Sequence, residues 1–276
     1  MIKDSKSLEI SCYVIGAGAF GVFFRWMQLM LAFNEDGLVD GSAWNLLVPA
    51  LIIAAAVVFY RFVTSRRNDR MYLPHDFCKA LKNEGKLYSI GRWAAGGLMC
   101  AGAILLFMQC ETDKDVKFLY TLAGAGIVTG ISFPFFLTAA NKPHAENRNL
   151  VAFLSTLPII FFGIWLLTAY KQNTINSVKW SYVIEMLAVI FSMVAFFRIA
   201  GFAYGIEKEW KSMFFCMMGA MLCIMTLADS RYLGQQIMFL ATALMLILCN
   251  WIIIANLKQG DKEIPVVEDD GFEVLQ

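Results

Sequence analysis

Charge is what this chain has least of. Asp, Glu, Lys and Arg make up 16% of its 276 residues, where soluble globular domains carry about a quarter. Histidine is rarer still. His75, in LPHDF beside Asp76, and His144, in NKPHAENR near Glu146, are the two; two histidines and two carboxylates can hold a metal, but no H-E-x-x-H or related spacing supports it, and solvated loops are the plainer reading. Seven cysteines include no C-x-x-C, and five of them, Cys12, Cys100, Cys216, Cys223 and Cys249, lie inside apolar runs, which excludes a disulfide framework or zinc ribbon. No G-x-x-x-x-G-K-[ST] occurs, so the chain has no P-loop for hydrolysing ATP. The net charge of +1 gives no sign of a nucleic-acid partner. No cofactor is implied, and no catalytic residue can be named.

Hydrophobic residues are what the chain has instead, at 59% with a mean hydropathy of +0.60. A hydrocarbon core of about 30 Å takes roughly 20 apolar residues per helix. Eight runs approach that length: Leu8–Phe33, Leu46–Val63, Trp93–Cys110, Phe118–Ala140, Leu150–Tyr170, Trp180–Tyr204, Met213–Ala228 and Ile237–Leu257. The expected fold is an all-α polytopic membrane protein with eight transmembrane helices.

One motif argues otherwise. CYVIGAGAFGVFF spells G-x-G-x-x-G at Gly16, Gly18 and Gly21, with Asp36 further on, the fingerprint of a dinucleotide-binding turn. That turn needs a loop between strand and helix, whereas here the apolar run continues unbroken to Phe33. Small residues in a transmembrane helix let a neighbouring backbone come close. Packing is therefore the expected role of these glycines.

Positive charge orients the chain. The segment after the second run carries Arg61, Arg66, Arg67, Arg70, Lys79, Lys82, Lys86 and Arg92, while NEDGLVDGSAWN on the other side has neither Lys nor Arg. Cytoplasmic loops hold the excess of these residues, so both termini are expected in the cytoplasm, and a plasma (inner) membrane location follows. Lys3 and Lys6 precede a first run too long for a signal-peptide core. An uncleaved first helix is expected.

Sliding the chain by 137 residues pairs Phe24 with Phe161, Ile53 with Ile190 and Arg61 with Arg198; sliding by 116 pairs Cys100 with Cys216, Asp113 with Asp229 and Lys142 with Lys258. This suggests two parallel four-helix repeats, residues 1–142 with a basic loop 64–92 and residues 143–258, followed by an acidic cytoplasmic tail, 259–276. The seam between repeats is the expected place for a ligand near the midplane.

Repetition also sorts the polar residues. Arg61 and Arg198 recur near cytoplasmic helix ends and read as interface anchors, and Asp113 and Asp229 read as solvated boundary markers. Arg25, Gln28 and Glu185 do not recur. Arg25 lies about 12 Å and Glu185 about 7 or 8 Å below the outer helix ends, so they either pair across the seam or snorkel separately to the outer surface, and with Gln28 they form the candidate intramembrane polar binding site. Pro134 and Pro158 are candidates for kinks beside a cavity. Met213, Met217, Met221 and Met225 form an i, i+4 stripe near Cys216 and Cys223, suited to Cu(I) but more often to filling a core. Asn250 is expected to find an interhelical hydrogen bond.

Two function classes survive. The first is a permease-like protein, or one that binds a small molecule or lipid in the seam. The second is a non-transporting membrane subunit or sensor/scaffold module working through loop 64–92 and the tail. The bilayer is the expected partner; a protein partner and a homo-oligomer stay open.

Overall fold

A computed structural model describes residues 2–32, 43–68, 71–74, 77–83, 85–112, 117–141, 145–173, 182–204 and 209–259. Eight long helices account for most of them: α1 (Ile2–Leu31), α2 (Trp44–Asn68), α4 (Lys86–Thr112), α5 (Lys117–Ala140), α6 (Ala145–Asn173), α7 (Val183–Ala203), α8 (Glu209–Met225) and α9 (Leu233–Asn256). A single helical turn, α3 (Phe77–Ala80), precedes α4, and one 3-10 turn, Thr226–Ala228, extends α8. The all-helical expectation has one small exception. Strand β1 (Met71–Tyr72) pairs antiparallel with β2 (Lys258–Gln259).

All eight long helices are long and apolar enough to cross a membrane, as an integral membrane protein requires. Large apolar side chains such as Phe20, Ile53, Val58, Phe153 and Leu167 are exposed on their outer faces, which water would penalise and lipid does not. Hydroxyls within the spans turn back on their own helix: Thr129 donates to the Ala125 carbonyl, Thr168 to Ile164 and Thr242 to Met238, at 2.8–2.9 Å. Self-satisfaction of this kind removes their cost in hydrocarbon.

Helices α4 to α9 form a closed round in which each packs on its neighbour in sequence and α9 returns to α4. Glycine permits the tightest of these contacts. A Cβ on Gly96 of α4 would lie 2.6 Å from the Gly130 carbonyl of α5, and one on Gly234 of α9 would lie 2.5 Å from the Leu106 amide nitrogen of α4. Helices α1 and α2 flank the round, with α1 running beside α8. Here the glycine motif finds its use, since a Cβ on Gly18 would meet Ile224 at 2.9 Å and one on Gly21 would meet Met225 at 3.2 Å. Gly16 faces open space.

Helices α5 with α6, and α4 with α9, pack closely across the boundary at residues 142 and 143. The duplication thus stays a reading of the sequence, to which the packing adds no support. Aromatic rings fill the round. Phe239, Trp165, Phe162, Phe196 and Phe133 are all buried and stand in successive contact, with centroids 4.3, 6.4, 5.8 and 5.5 Å apart. The methionine stripe of α8 is buried in the same core.

One end of the bundle, where α2 finishes and α4 begins, is basic. The segment after α2 folds under it: Leu73, Ala80, Leu81 and Asn83 are buried. Asn83 is the knot, donating from its side chain to the Leu81 and Leu137 carbonyls at 2.9 Å and accepting from Arg92 Nη1 and Asn141 Nδ2 at 2.8 Å. Asn256 Nδ2, at the end of α9, donates to the carbonyls of Ala80 and Lys82.

Candidate functional site

A second set of polar side chains reaches between helices at the opposite, far end. Arg25, six residues before the end of α1, has a side chain 1% exposed, and its Nε donates to Asp229 Oδ1 at 2.8 Å. Its Nη1 donates to Gln28 Oε1 at 2.7 Å. Gln28 passes the network to α2 by donating to Asn45 Oδ1 at 3.2 Å. On the other side, Asp229 Oδ2 accepts from Arg231 Nη2 at 2.9 Å, and Arg231 Nη1 pairs with Glu185 Oε2. Glu185 Oε1 accepts from Trp165 Nε1 at 3.0 Å.

Arg25 and Glu185 therefore belong to one array but do not touch. A direct pair, one of the two readings of the sequence, is corrected to a row of four charges, Arg25, Asp229, Arg231 and Glu185, with alternating sign. Asp229 is likewise no solvated marker; its side chain is 7% exposed. The reason is the brevity of the connection from α8 to α9, Asp229–Tyr232. So short a link is drawn across the mouth of the bundle, and its charges lie over the helix ends instead of in water.

Alternation is what makes the row tolerable. Removing an ion from water costs several kcal/mol even after relaxation, and a partner must offset it. Each carboxylate oxygen in the row holds a donor. Burial alone would lower the Arg231 pKa, but Glu185 and Asp229 outweigh it and hold the guanidinium above its ordinary value. Arg231 is a fixed cation.

Beside this row lies a cavity of about 730 Å³, within the size range of small-molecule sites. Its wall comprises Leu29 from α1, Gln109 from α4, Gln172 from α6, Tyr182 and Glu185 at the start of α7, Asp229 to Tyr232, and Leu233 and Gln235 of α9. Leu29 and Gln109 come from the first half of the sequence and the rest of the wall from the second, and the cavity sits at the helix ends and not at the midplane. Two buried donors at this wall, Arg231 Nε and Gln235 Nε2, have no acceptor among the described residues. Buried donors are normally paired, so an orphan beside a polar cavity points to water or ligand.

No known protein family, curated protein or solved structure matches this chain.

The site thus stands on its own geometry. Of the residues singled out in the sequence, Arg25, Gln28 and Glu185 come together, whereas Pro134 and Pro158 line no part of this cavity. Helices α5 and α6 continue through these prolines, and the Pro134 ring occupies space beside Gly96. Arg61 is exposed on α2, and the Arg198 guanidinium lies 5.9 Å from the centre of the Phe215 ring. Asn250 Oδ1 has no partner among the described residues, contrary to expectation. His75, His144, Asp113 and Asp76 lie outside the described residues. Asp229, Arg231 and Trp165 are the members that sequence reasoning missed. One signal was available: the stretch between the last two apolar runs, residues 229–236, carries one acid and one base, matching in number the Arg25 and Glu185 set within the helices.

Proposed function

We infer that this is a permease-like or small-molecule-binding integral membrane protein whose site is the far-end cavity. The observation that carries the reading is that cavity, with its orphan donors and its floor of paired charges. On the orientation read from the basic loop, the cavity opens to the outside and the Asn83 knot closes the cytoplasmic end. The aromatic series between them is buried among the helices, so a solute would be bound and, if carried, would pass by rearrangement of the helices. That is carrier behaviour, not channel behaviour. Arg61 and Arg198 serve as anchors at the cytoplasmic interface in this reading.

Purified protein in nanodiscs tests it directly. Thermal unfolding measured against small polar solutes spanning cations, anions, zwitterions and neutral molecules should show stabilisation by at least one, and Gln109→Leu should weaken that response at least tenfold in midpoint concentration. Silence across all four classes sinks the reading.

One observation favours the second class. The β1–β2 pair and the Asn256 bonds join the segment after α2 to the stretch just before the acidic tail, giving a partner protein one continuous cytoplasmic face. Deleting residues 260–276 should abolish copurification of such a partner if this face is the working surface.

A further inference from the structure

We propose that residues 77–83 form the inner gate of the protein, a lid that swings away from the cytoplasmic end of the round as one body while the helices stay packed. This rests on the reading of the far-end cavity as an outward-facing site, and supplies the step by which a solute held there would leave inward.

The lid lies across the mouth of the round. Its single turn, α3, packs on α7 and α9. Asn83 bonds to α4 through Arg92 and to the end of α5 through Leu137 and Asn141, and Asn256 of α9 holds the carbonyls of Ala80 and Lys82. Helices α4, α5, α7 and α9 thus all meet on this one short segment.

The way it is held favours release. Asn83 uses its whole side-chain amide: Nδ2 donates to the Leu81 and Leu137 carbonyls and Oδ1 accepts from Arg92 and Asn141. Its backbone amide donates to Asn141 Oδ1 at 3.0 Å. Among these bonds only the one from Arg92 carries a charge. Leu137 belongs to the last turn of α5, where carbonyls have no partner within the helix and take one from outside. Once the lid leaves, the freed groups face cytoplasmic water, which replaces a neutral hydrogen bond at small net cost. The far end is different. Its tie is a row of buried ion pairs, whose hydrogen bonds are stronger, so the cytoplasmic end is the easier of the two to open.

Composition gives the lid two faces. Ala80 and Leu81 are 1% exposed and turn toward the helices, while Lys79 and Lys82 are exposed. Swinging out uncovers little apolar surface. The pivot is Gly85, between the lid and α4, whose φ of +143° lies where L side chains rarely sit and glycine sits freely. Hinges are a few such positions at element ends that absorb the change in backbone angle.

The test reads opening directly, in the full-length chain carrying Cys78→Ser and Leu81→Cys in nanodiscs, with a water-soluble maleimide and labelled peptides identified by mass. A gate opens locally under native conditions, as low-stability segments do. Leu81→Cys should therefore react at least tenfold faster than Cys216, Cys223 and Cys249, which are buried on α8 and α9. Adding Asn256→Ala should speed it at least threefold further without speeding them. Reaction of Leu81→Cys only in step with those three cysteines marks a fixed plug and overturns the proposal. Ala80→Cys, at an equally buried position, serves should Leu81→Cys fail to fold. Coupling to the cavity is the second readout, with glucose, acetate, inorganic phosphate, choline and glycine added in turn. A probe that raises the unfolding temperature should also change the labelling rate of the lid at least threefold at saturation, because two coupled sites bias one equilibrium. A stabilising probe that leaves the rate unchanged overturns the gate while the binding site stands. Fast labelling with no stabilising probe removes the cavity reading, and the gate's role with it.

Discussion

Two carboxylates share the guanidinium of Arg231, so truncating that side chain strands both in a poorly solvated place. Arg231→Ala should lower unfolding stability by about 3–5 kcal/mol, the usual consequence of removing one partner from a buried ion pair, as measured by chemical unfolding in detergent. A double-mutant cycle between Arg25 and Asp229, in contact at 2.8 Å, should give a coupling of about 0.5–3 kcal/mol. The Arg25 to Glu185 cycle should give less, because their interaction passes through two intermediaries; equal coupling in the two cycles would contradict the row. The ends of this row are legible in the sequence, since a lone Arg and a lone Glu in apolar runs at similar depth must be compensated somewhere. Its middle is not. Charges beside a helix end are ordinarily solvated, and nothing in the local pattern of LADSRYLG distinguishes a link lying over a bundle mouth from one standing in water.

At the level of helices, glycine separates contacts that can yield from contacts that cannot. Gly234→Ala presses a methyl against the backbone of Leu106 and Gly102, neither of which has a rotamer to adopt, and should destabilise by about 1–3 kcal/mol. Gly97→Ala meets nothing within 4 Å and should be close to neutral; the two variants compared by chemical unfolding in detergent would reveal a wrong assignment of faces. All eight apolar runs coincide with helices, because hydrocarbon permits so few backbone solutions that hydropathy nearly determines them. The ends are less faithful: α4 begins at Lys86, seven residues before the run that announced it, since Leu87, Tyr88 and Ile90 extend the helix beyond the strictly apolar stretch. The buried segment around Asn83 was hidden by its own composition. Amid Lys79, Lys82 and Lys86 it reads as a solvated basic loop, yet the lysines are exposed while Leu73, Ala80 and Leu81 turn inward.

For the molecule as a whole, orientation is the property on which the direction of any solute traffic depends. A membrane-impermeant maleimide applied from outside should label Ser230→Cys, which is exposed beside the cavity, and should reach Lys79→Cys, exposed at the basic end, only after permeabilisation. The reverse pattern would turn the protein over. Partnerships between distant parts of the chain also bear on how the protein is made. Helix α1 lies against α8, and β1 waits for β2, so the first pair of helices to leave the ribosome has no final seat until the seventh and eighth are synthesised. The lid at the basic end is thus sewn shut last, and a ribosome stalled before α9 would leave the early hairpin adrift in lipid, accessible to quality-control proteases.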